Sequence, residues 1–357
     1  MKSILVAGYT TRHVAASAAR AGYDVYAVDH FCDQDLIWCT KDHLAFDELN
    51  ELPFAVEEML DAHDIDHVVT TSGAELLPVR DRLGTPVNVA ERFMDKGKTQ
   101  DFFEEIGVPV PRRLGPGEYP AMMKTLSGAG GWRNACVHSD EEREAWEEFV
   151  EHLPSMAQEP ISGQPASVSC LGTGDAAMAL CANEQILRGG DTCAYAFSGS
   201  LTPCRHPLAD RMMELAEKIV AASGCVGSVG VDFVLTDDEA YAIEINPRFQ
   251  GTVETVERAL GVNLFSLHAD ACRGVLPKKR PEPACFAVRR ILAAPRDITI
   301  QKEMSALRET ITDIPHPGTS FEEGEVMFSV TGSGATREDA FSSLDKHIRD
   351  ALQFTKE

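Results

Sequence analysis

Val231-Asp232-Phe233-Val234-Leu235, followed after a polar turn by Tyr241-Ala242-Ile243-Glu244-Ile245-Asn246-Pro247-Arg248, is the stretch that decides the fold. Both runs are apolar, β-branched and aromatic and flank Asp237-Asp238-Glu239, so they predict a β-hairpin. With a three-residue loop, Thr236 faces Ala240, and four residues further along each strand Asp232 faces Glu244. Like charges set opposite one another destabilise a sheet, and unpaired buried carboxylates are costly. A divalent cation between them removes both problems. Mg²⁺ takes one or two carboxylates and fills its shell with water and nucleotide phosphate oxygens. Strand alternation puts Asn246 on the same face as Glu244, where it offers a third oxygen. The competing interpretation is an exposed acidic hairpin, and the apolar setting Tyr-Ala-Ile-Glu-Ile around Glu244 argues against it.

Upstream, Lys124 ends the run Pro120-Ala-Met-Met and precedes Ser127-Gly128-Ala129-Gly130-Gly131. Small residues let backbone N–H groups approach phosphate oxygens while an ammonium balances their charge. Gly-rich turns are common in hairpins, so this pattern gains weight only from its company. Asp95-Lys96-Gly97-Lys98 opens a helix that buries Phe102, Phe103 and Ile106 and stops at Gly107 before Pro109 and Pro111. Earlier still, strands at 3–8, 24–29 and 67–70 alternate with helices at 11–21 and 54–63, the order of a Rossmann-like parallel sheet. Gly8-Tyr-Thr-Thr-Arg12 lacks the dinucleotide glycine fingerprint, so Asp29 after the second strand does not predict NAD binding.

The fold class is therefore α/β, with α+β character in the central part. We divide the chain into a Rossmann-like domain at 1–90, a central domain at 91–275 with a mobile subdomain near 112–160, and a β-rich C-terminal region at 276–357 ending in a helix. The Pro-rich basic connection at 277–283 marks the last boundary.

A net charge of −23, from 33 basic against 56 acidic residues, argues against a nucleic-acid surface and makes any nucleotide site a local basic exception. No apolar run approaches the roughly 20 residues of a membrane span, and the N-terminus lacks a cleavable signal pattern, so we expect a cytoplasmic protein. The ten cysteines are scattered without a CxxC pair and are expected as thiols. Cys193, Cys204 and His206 make a weak candidate zinc site.

The hairpin Asp232 … Glu244-Ile-Asn246-Pro-Arg248 resembles the metal-binding end of the ATP-grasp ligases. The stretch 95–111 resembles the opening of that fold, and the likeness extends over roughly residues 1–275. Within the superfamily the chain is most similar to archaeal predicted ATP-dependent carboligases. The resemblance implies a two-lobe nucleotide clamp that binds ATP. It makes Asp232, Glu244 and Asn246 ligands of two Mg²⁺, for which Mn²⁺ can substitute. Lys96, Lys124, Gly128, Gly130 and Gly131 become phosphate-binding residues, and Glu159 and Ile161 become adenine-binding residues. Lys124 and Arg248 take catalytic roles, Arg248 steadying the acyl phosphate or the tetrahedral intermediate. Many members bind the ribose through a Glu shortly after the interlobe glycine. Here Gln164 stands near that place and is a doubtful substitute. Arg188, Arg205 and Gln250 are candidate contacts to the acceptor, and Tyr195 and Ser198 candidate members of a substrate loop. The implied activity is a carboxylate–amine ligase working through an acyl phosphate, and the dimers common among relatives make a homodimer the candidate assembly. The alternatives are an ATP-dependent carboxylase using carboxyphosphate, or a non-catalytic ATP-binding regulator.

Overall fold

The computed structural model describes residues 2–128, 130–190 and 193–354. Strands Ser3–Ala7, Asp24–Asp29, Asp42–Ala45 and His67–Thr70 form a parallel sheet, with Ser3–Ala7 between Asp24–Asp29 and His67–Thr70. Its first strand is buried on both faces, which is why it reads as an unbroken apolar run. Ile4 and Val6 meet Val14 and Ala15 of helix Arg12–Arg20, while Leu5 and Ala7 meet Val56 and Met59 of helix Leu52–Ala62. Asp29 is fully engaged in shaping the loops. It accepts from the N–H and hydroxyl of Thr11 and from the N–H groups of Phe31 and Cys32.

The centre of the molecule is an eight-stranded antiparallel sheet. Its order is Ala240–Asn246, Val226–Leu235, Gln164–Thr173, Ala177–Leu187, Phe197–Thr202, Phe286–Ala293, Val326–Gly334 and Ile311–Thr312. Helix Ala209–Ser223 lays Met212, Leu215, Ile219 and Val220 against one face, at the 3.6-residue spacing visible in the sequence. Helices Val253–Leu260 and Leu264–Ala271 cover part of the other face and join it to helix Arg12–Arg20. Among the described residues after 276, only Ile298–Thr299 and Ser320–Phe321 make a separate two-stranded sheet; the other strands join the central one. Phe286–Ala293 pairs with Phe197–Thr202 and continues the central sheet, backed by helix Arg337–Phe354.

A small lobe stands apart from this sheet. Ala121–Thr125 runs between Ala135–Val137 and Ser155–Gln158, and helix Asp140–Phe149 buries Trp146 against them. Ser139 caps that helix by accepting from the Glu142 N–H.

Two buried polar clusters tie the parts together. His268 accepts the Ser228 N–H on Nδ1 at 2.8 Å, which leaves Nε2–H to donate to the Leu83 carbonyl at 3.1 Å. Burial pushes this imidazole down to about 4. Because its folded value lies below the ordinary one, its contribution to stability is complete above about pH 6.5. That contribution, about 3 kcal/mol, is lost as the pH falls toward 4, where the folded state must also take up the proton. Urea unfolding between pH 7 and 4.5 should therefore show a steeper fall for the natural chain than for His268→Gln. Equal slopes would remove His268 from the explanation. The second cluster gathers Arg12, Arg289, Asp35, Glu254 and Asp313. Arg12 pairs with all three acids, Nη1 meeting Glu254 at 2.6 Å, and Arg289 Nη2 meets Asp313 at 2.7 Å.

Candidate active site

Asp232 and Glu244 are directly paired across the hairpin, as the sequence predicts, but by a different route. The turn is one residue tighter, since Leu235 pairs with Ala240 and the Thr236 N–H donates to the Glu239 carbonyl at 3.0 Å. A β-bulge then restores the register. Phe233 pairs with Ala242 while Asp232 pairs with Glu244, so Ile243 is the extra residue.

Three side-chain amides converge on Asp232. Gln185 Nε2 and Gln250 Nε2 each donate to Oδ1 at 2.9 Å, and Asn246 Nδ2 donates to Oδ2 at 3.2 Å. Even so, burial, with Glu244 adding to it, pushes the Asp232 carboxyl up to about 7. Two carboxyl groups opposed in this way suit a cation between them. The oxygens around it, from Asp232, Glu244 and Asn246, are hard donors that fit Mg²⁺. Among the described residues no three His, Cys, Asp or Glu side chains gather to hold a metal ion, and this covers Cys193, Cys204 and His206.

The hairpin forms one end of a cavity of about 390 Å³ between the small lobe and the central sheet. Met122, Ile161, Leu187, Phe233 and Ile243 give it an apolar part, while Lys124, Asp232, Glu244, Asn246 and Arg248 give it an ionic part. Lys124 comes from the middle strand of the small lobe and is only 7% exposed. Burial pushes its ammonium down to about 8, with Glu244 opposing and Lys96 reinforcing that shift.

Gly130, Gly131, Glu159, Ile161 and Gln250 line the same cavity. The carboxylate of Glu159 accepts the Arg112 N–H at 2.9 Å, and its own N–H donates to the Arg112 carbonyl at 2.9 Å. Lys96 and Gly128 stand outside the lining, the Lys96 ammonium donating to the Gly128 carbonyl at 2.5 Å. Two suggested acceptor contacts lie elsewhere. Arg188 leaves the sheet at the end of strand Ala177–Leu187 and donates to the Gly324 carbonyl at 3.0 Å. Arg205 is exposed and stacks over Phe286 at 5.3 Å. Gln164 also points away from the cavity. It pairs with Leu235 on the helix-covered side and reaches Cys204 Sγ, leaving Gly163 and Pro165 to face the cavity. Ser198 turns to the Ile291 carbonyl, whereas Tyr195 lines the cavity. Ala129 of the glycine loop, and Asp191 and Thr192 of the 189–200 stretch, lie outside the described residues.

Sequence patterns missed two participants. Gln185 alternates with Leu187 on the cavity face of a strand whose polar positions look like ordinary surface. Glu75 accepts from Arg248 Nε at 2.6 Å across 173 residues of chain, and no local signal announces it.

The glycine loop is latched to the first residue of strand Phe197–Thr202. The Phe197 N–H donates to the Gly130 carbonyl at 3.0 Å, and Gly131, at φ +70°, packs so close to Tyr195 that a Cβ would lie 2.5 Å from its carbonyl oxygen. Gly131→Ala should displace the loop at a cost of about 1–3 kcal/mol, weakening nucleotide binding by about tenfold in calorimetry. Gly130→Ala, which meets open space, should weaken it less. A reversed order would exclude the latch.

Residues 93–252 match the ATP-grasp domain family. This segment is similar to ATP-grasp domains. An uncharacterized protein of Methanocaldococcus jannaschii is 25% identical over an alignment covering 99% of this chain and 92% of the relative. The L-amino acid ligase of Bacillus licheniformis superposes with a TM-score of 0.76 at 16% identity, covering 98% of this chain and 97% of that one. The N5-carboxyaminoimidazole synthase of Aspergillus clavatus, solved with ADP and 5-aminoimidazole ribonucleotide, gives 0.75 at 18% identity and covers 99% of both chains. The biotin carboxylase domain of Hydrogenobacter thermophilus 2-oxoglutarate carboxylase, a dimer solved with MgADP and bicarbonate, gives 0.78 at 14% identity, covering 99% and 90%. At these identities the solved structures establish the ATP-grasp fold. Among the described residues no helix is long and apolar enough to cross a membrane.

Proposed function

We propose that this ATP-grasp protein is a Mg²⁺-dependent carboxylate–amine ligase that joins its substrates through an acyl phosphate. The observation that carries the proposal is the opposed pair Asp232 and Glu244 at the ionic end of a cavity whose other part is apolar. The apolar part suits a purine ring, with Glu159 and the backbone of Ile161 at its edge, and Lys124, Gly130 and Gly131 suit a phosphate chain.

Asp232, Glu244 and Asn246 would hold Mg²⁺, two ions in our reading with Mn²⁺ able to substitute, and the metal supplies charge neutralisation. Phosphoryl transfer relies on positioning and charge balance more than on covalent help from the protein. Arg248, lining the ionic end, is suited to an oxyanion that develops as the amine adds. The latched glycine loop keeps water from the reactive acyl phosphate. We place Lys96 as the residue that holds this loop through Gly128, and Gln250 as an acceptor contact through its unpartnered Oε1. A homodimer in the cytoplasm completes the proposal.

The test is ADP release with Mg²⁺ across a panel of amino acids, other amines and small carboxylates. Dependence on an amine together with a carboxylate supports the ligase. Dependence on bicarbonate would replace it with a carboxylase, and nucleotide binding without turnover would replace it with a regulator. Arg248→Ala should lower the stimulated rate by about 100-fold or more, and full retention of activity would sink its assigned role.

A further inference from the structure

Arg248 is held from outside the ATP-grasp domain. Its Nε–H donates to Glu75 Oε1 at 2.6 Å, Nη1 to the Phe249 carbonyl at 3.0 Å and Nη2 to Asn246 Oδ1 at 3.1 Å. A guanidinium has five N–H groups in one plane, so three bonds fix both the plane and its rotation and leave two N–H groups for the cavity that Arg248 lines. Two of the three acceptors belong to the hairpin segment itself. The third, Glu75, sits on the loop after strand His67–Thr70 of the parallel sheet.

That loop is built to be rigid. Arg82 donates to the Thr70 hydroxyl and to the carbonyls of Glu75, Leu77, Ala74 and Thr85, so one side chain pins both ends of the segment carrying Glu75. The Glu75 and Arg248 side chains are each 12% exposed. An exposed ion pair contributes little, but one this enclosed, with one partner fixed to a rigid loop, sets orientation.

We propose that Glu75 is a positioning residue for Arg248, and that the parallel N-terminal sheet thereby completes the active site. The inference rests on the ligase reading for its rate prediction, but not for its geometry. With the amine and carboxylate found in the ADP-release screen, Glu75→Ala should lower kcat by about 100-fold while the KM for ATP stays unchanged, since Lys124, Asp232 and Glu244 are untouched. Glu75→Gln, whose amide oxygen still accepts from Nε–H, should recover part of the loss. Adding Glu75→Ala to Arg248→Lys should cost little more than Arg248→Lys alone. A purely structural pair would instead leave kcat intact, or raise the KM for ATP together with a loss of fold, and either result overturns the proposal.

A second measurement needs no substrate. In protein labelled with ¹⁵N-arginine, the Nε–H resonance of Arg248, assigned by its absence in Arg248→Lys, should exchange slowly with water in the natural chain and faster in Glu75→Ala. Unchanged exchange would show that Glu75 does not hold it. If the screen finds no stimulated ADP release, the ligase reading fails while this measurement still decides the role of Glu75.

Discussion

Glu244→Gln is expected to abolish Mg²⁺-dependent ADP formation, by about 1000-fold or more, while leaving the metal-free protein as stable as the natural chain or more so. Two arguments meet here. In the proposed function a cation at this site would neutralise phosphate charge worth several kcal/mol, and each 1.36 kcal/mol is a factor of ten in rate. Without the cation, Glu244 acts on Asp232 only as a like charge in a buried setting, and it helps push that carboxyl up to about 7. It takes no part in the amide contacts from Gln185, Gln250 and Asn246 that hold Asp232. Replacing it removes that repulsion and breaks none of those bonds, which offsets the loss of its attraction for the buried Lys124 ammonium. Urea unfolding without metal and with Mg²⁺ plus a non-hydrolysable ATP analogue checks both halves: only the natural chain should gain stability from the ligands. A variant that kept Mg²⁺-dependent turnover would end the metal-site assignment.

Arg12→Met is expected to destabilise the chain by about 3–5 kcal/mol, the range for removing one partner of a buried ion pair. Arg12 faces Asp35, Glu254 and Asp313, and among the described residues its loss leaves Arg289 as the only cation bonded to Glu254 and Asp313. Arg12 and Arg289 hold the Asp313 carboxyl well below the usual carboxylate range, against the cost of burial. These residues come from helix Arg12–Arg20, helix Val253–Leu260, strand Phe286–Ala293 and the turn at Asp313. The loss should therefore appear as one cooperative fall in the urea midpoint. A change within about 0.5 kcal/mol, as for an ordinary surface substitution, would mean that water reaches the cluster.

The parts of the site legible in the sequence are those written in one short segment. Asp232, Glu244 and Asn246 share a face because a strand alternates every two residues, and Lys124 is followed directly by its glycines. Even there the agreement conceals compensation, since a tighter turn and a bulge at Ile243 cancel. What could not be read depends on distant pairing. Glu75 looks like any surface acid until the parallel sheet brings it to Arg248, and Gln185 like any strand glutamine until it meets Asp232. Arg188 and Arg205 fail for the converse reason. Arginine near a motif carries no information about direction, and these two turn to Gly324 and Phe286. Strand Asp42–Ala45 escaped notice because a half-exposed edge strand, Asp-His-Leu-Ala, has little apolar signal.

The pairing of Phe197–Thr202 with Phe286–Ala293 also sets an order of events during synthesis. The cavity-facing strands leave the ribosome well before their neighbour in the sheet, and until it arrives Phe197–Thr202 is an open edge with unpaired N–H and carbonyl groups. Such edges recruit other chains. The nascent protein thus passes through a stage in which the elements of its cavity are all made but its central sheet is adhesive, and protection at that stage falls to chaperones or to speed of translation.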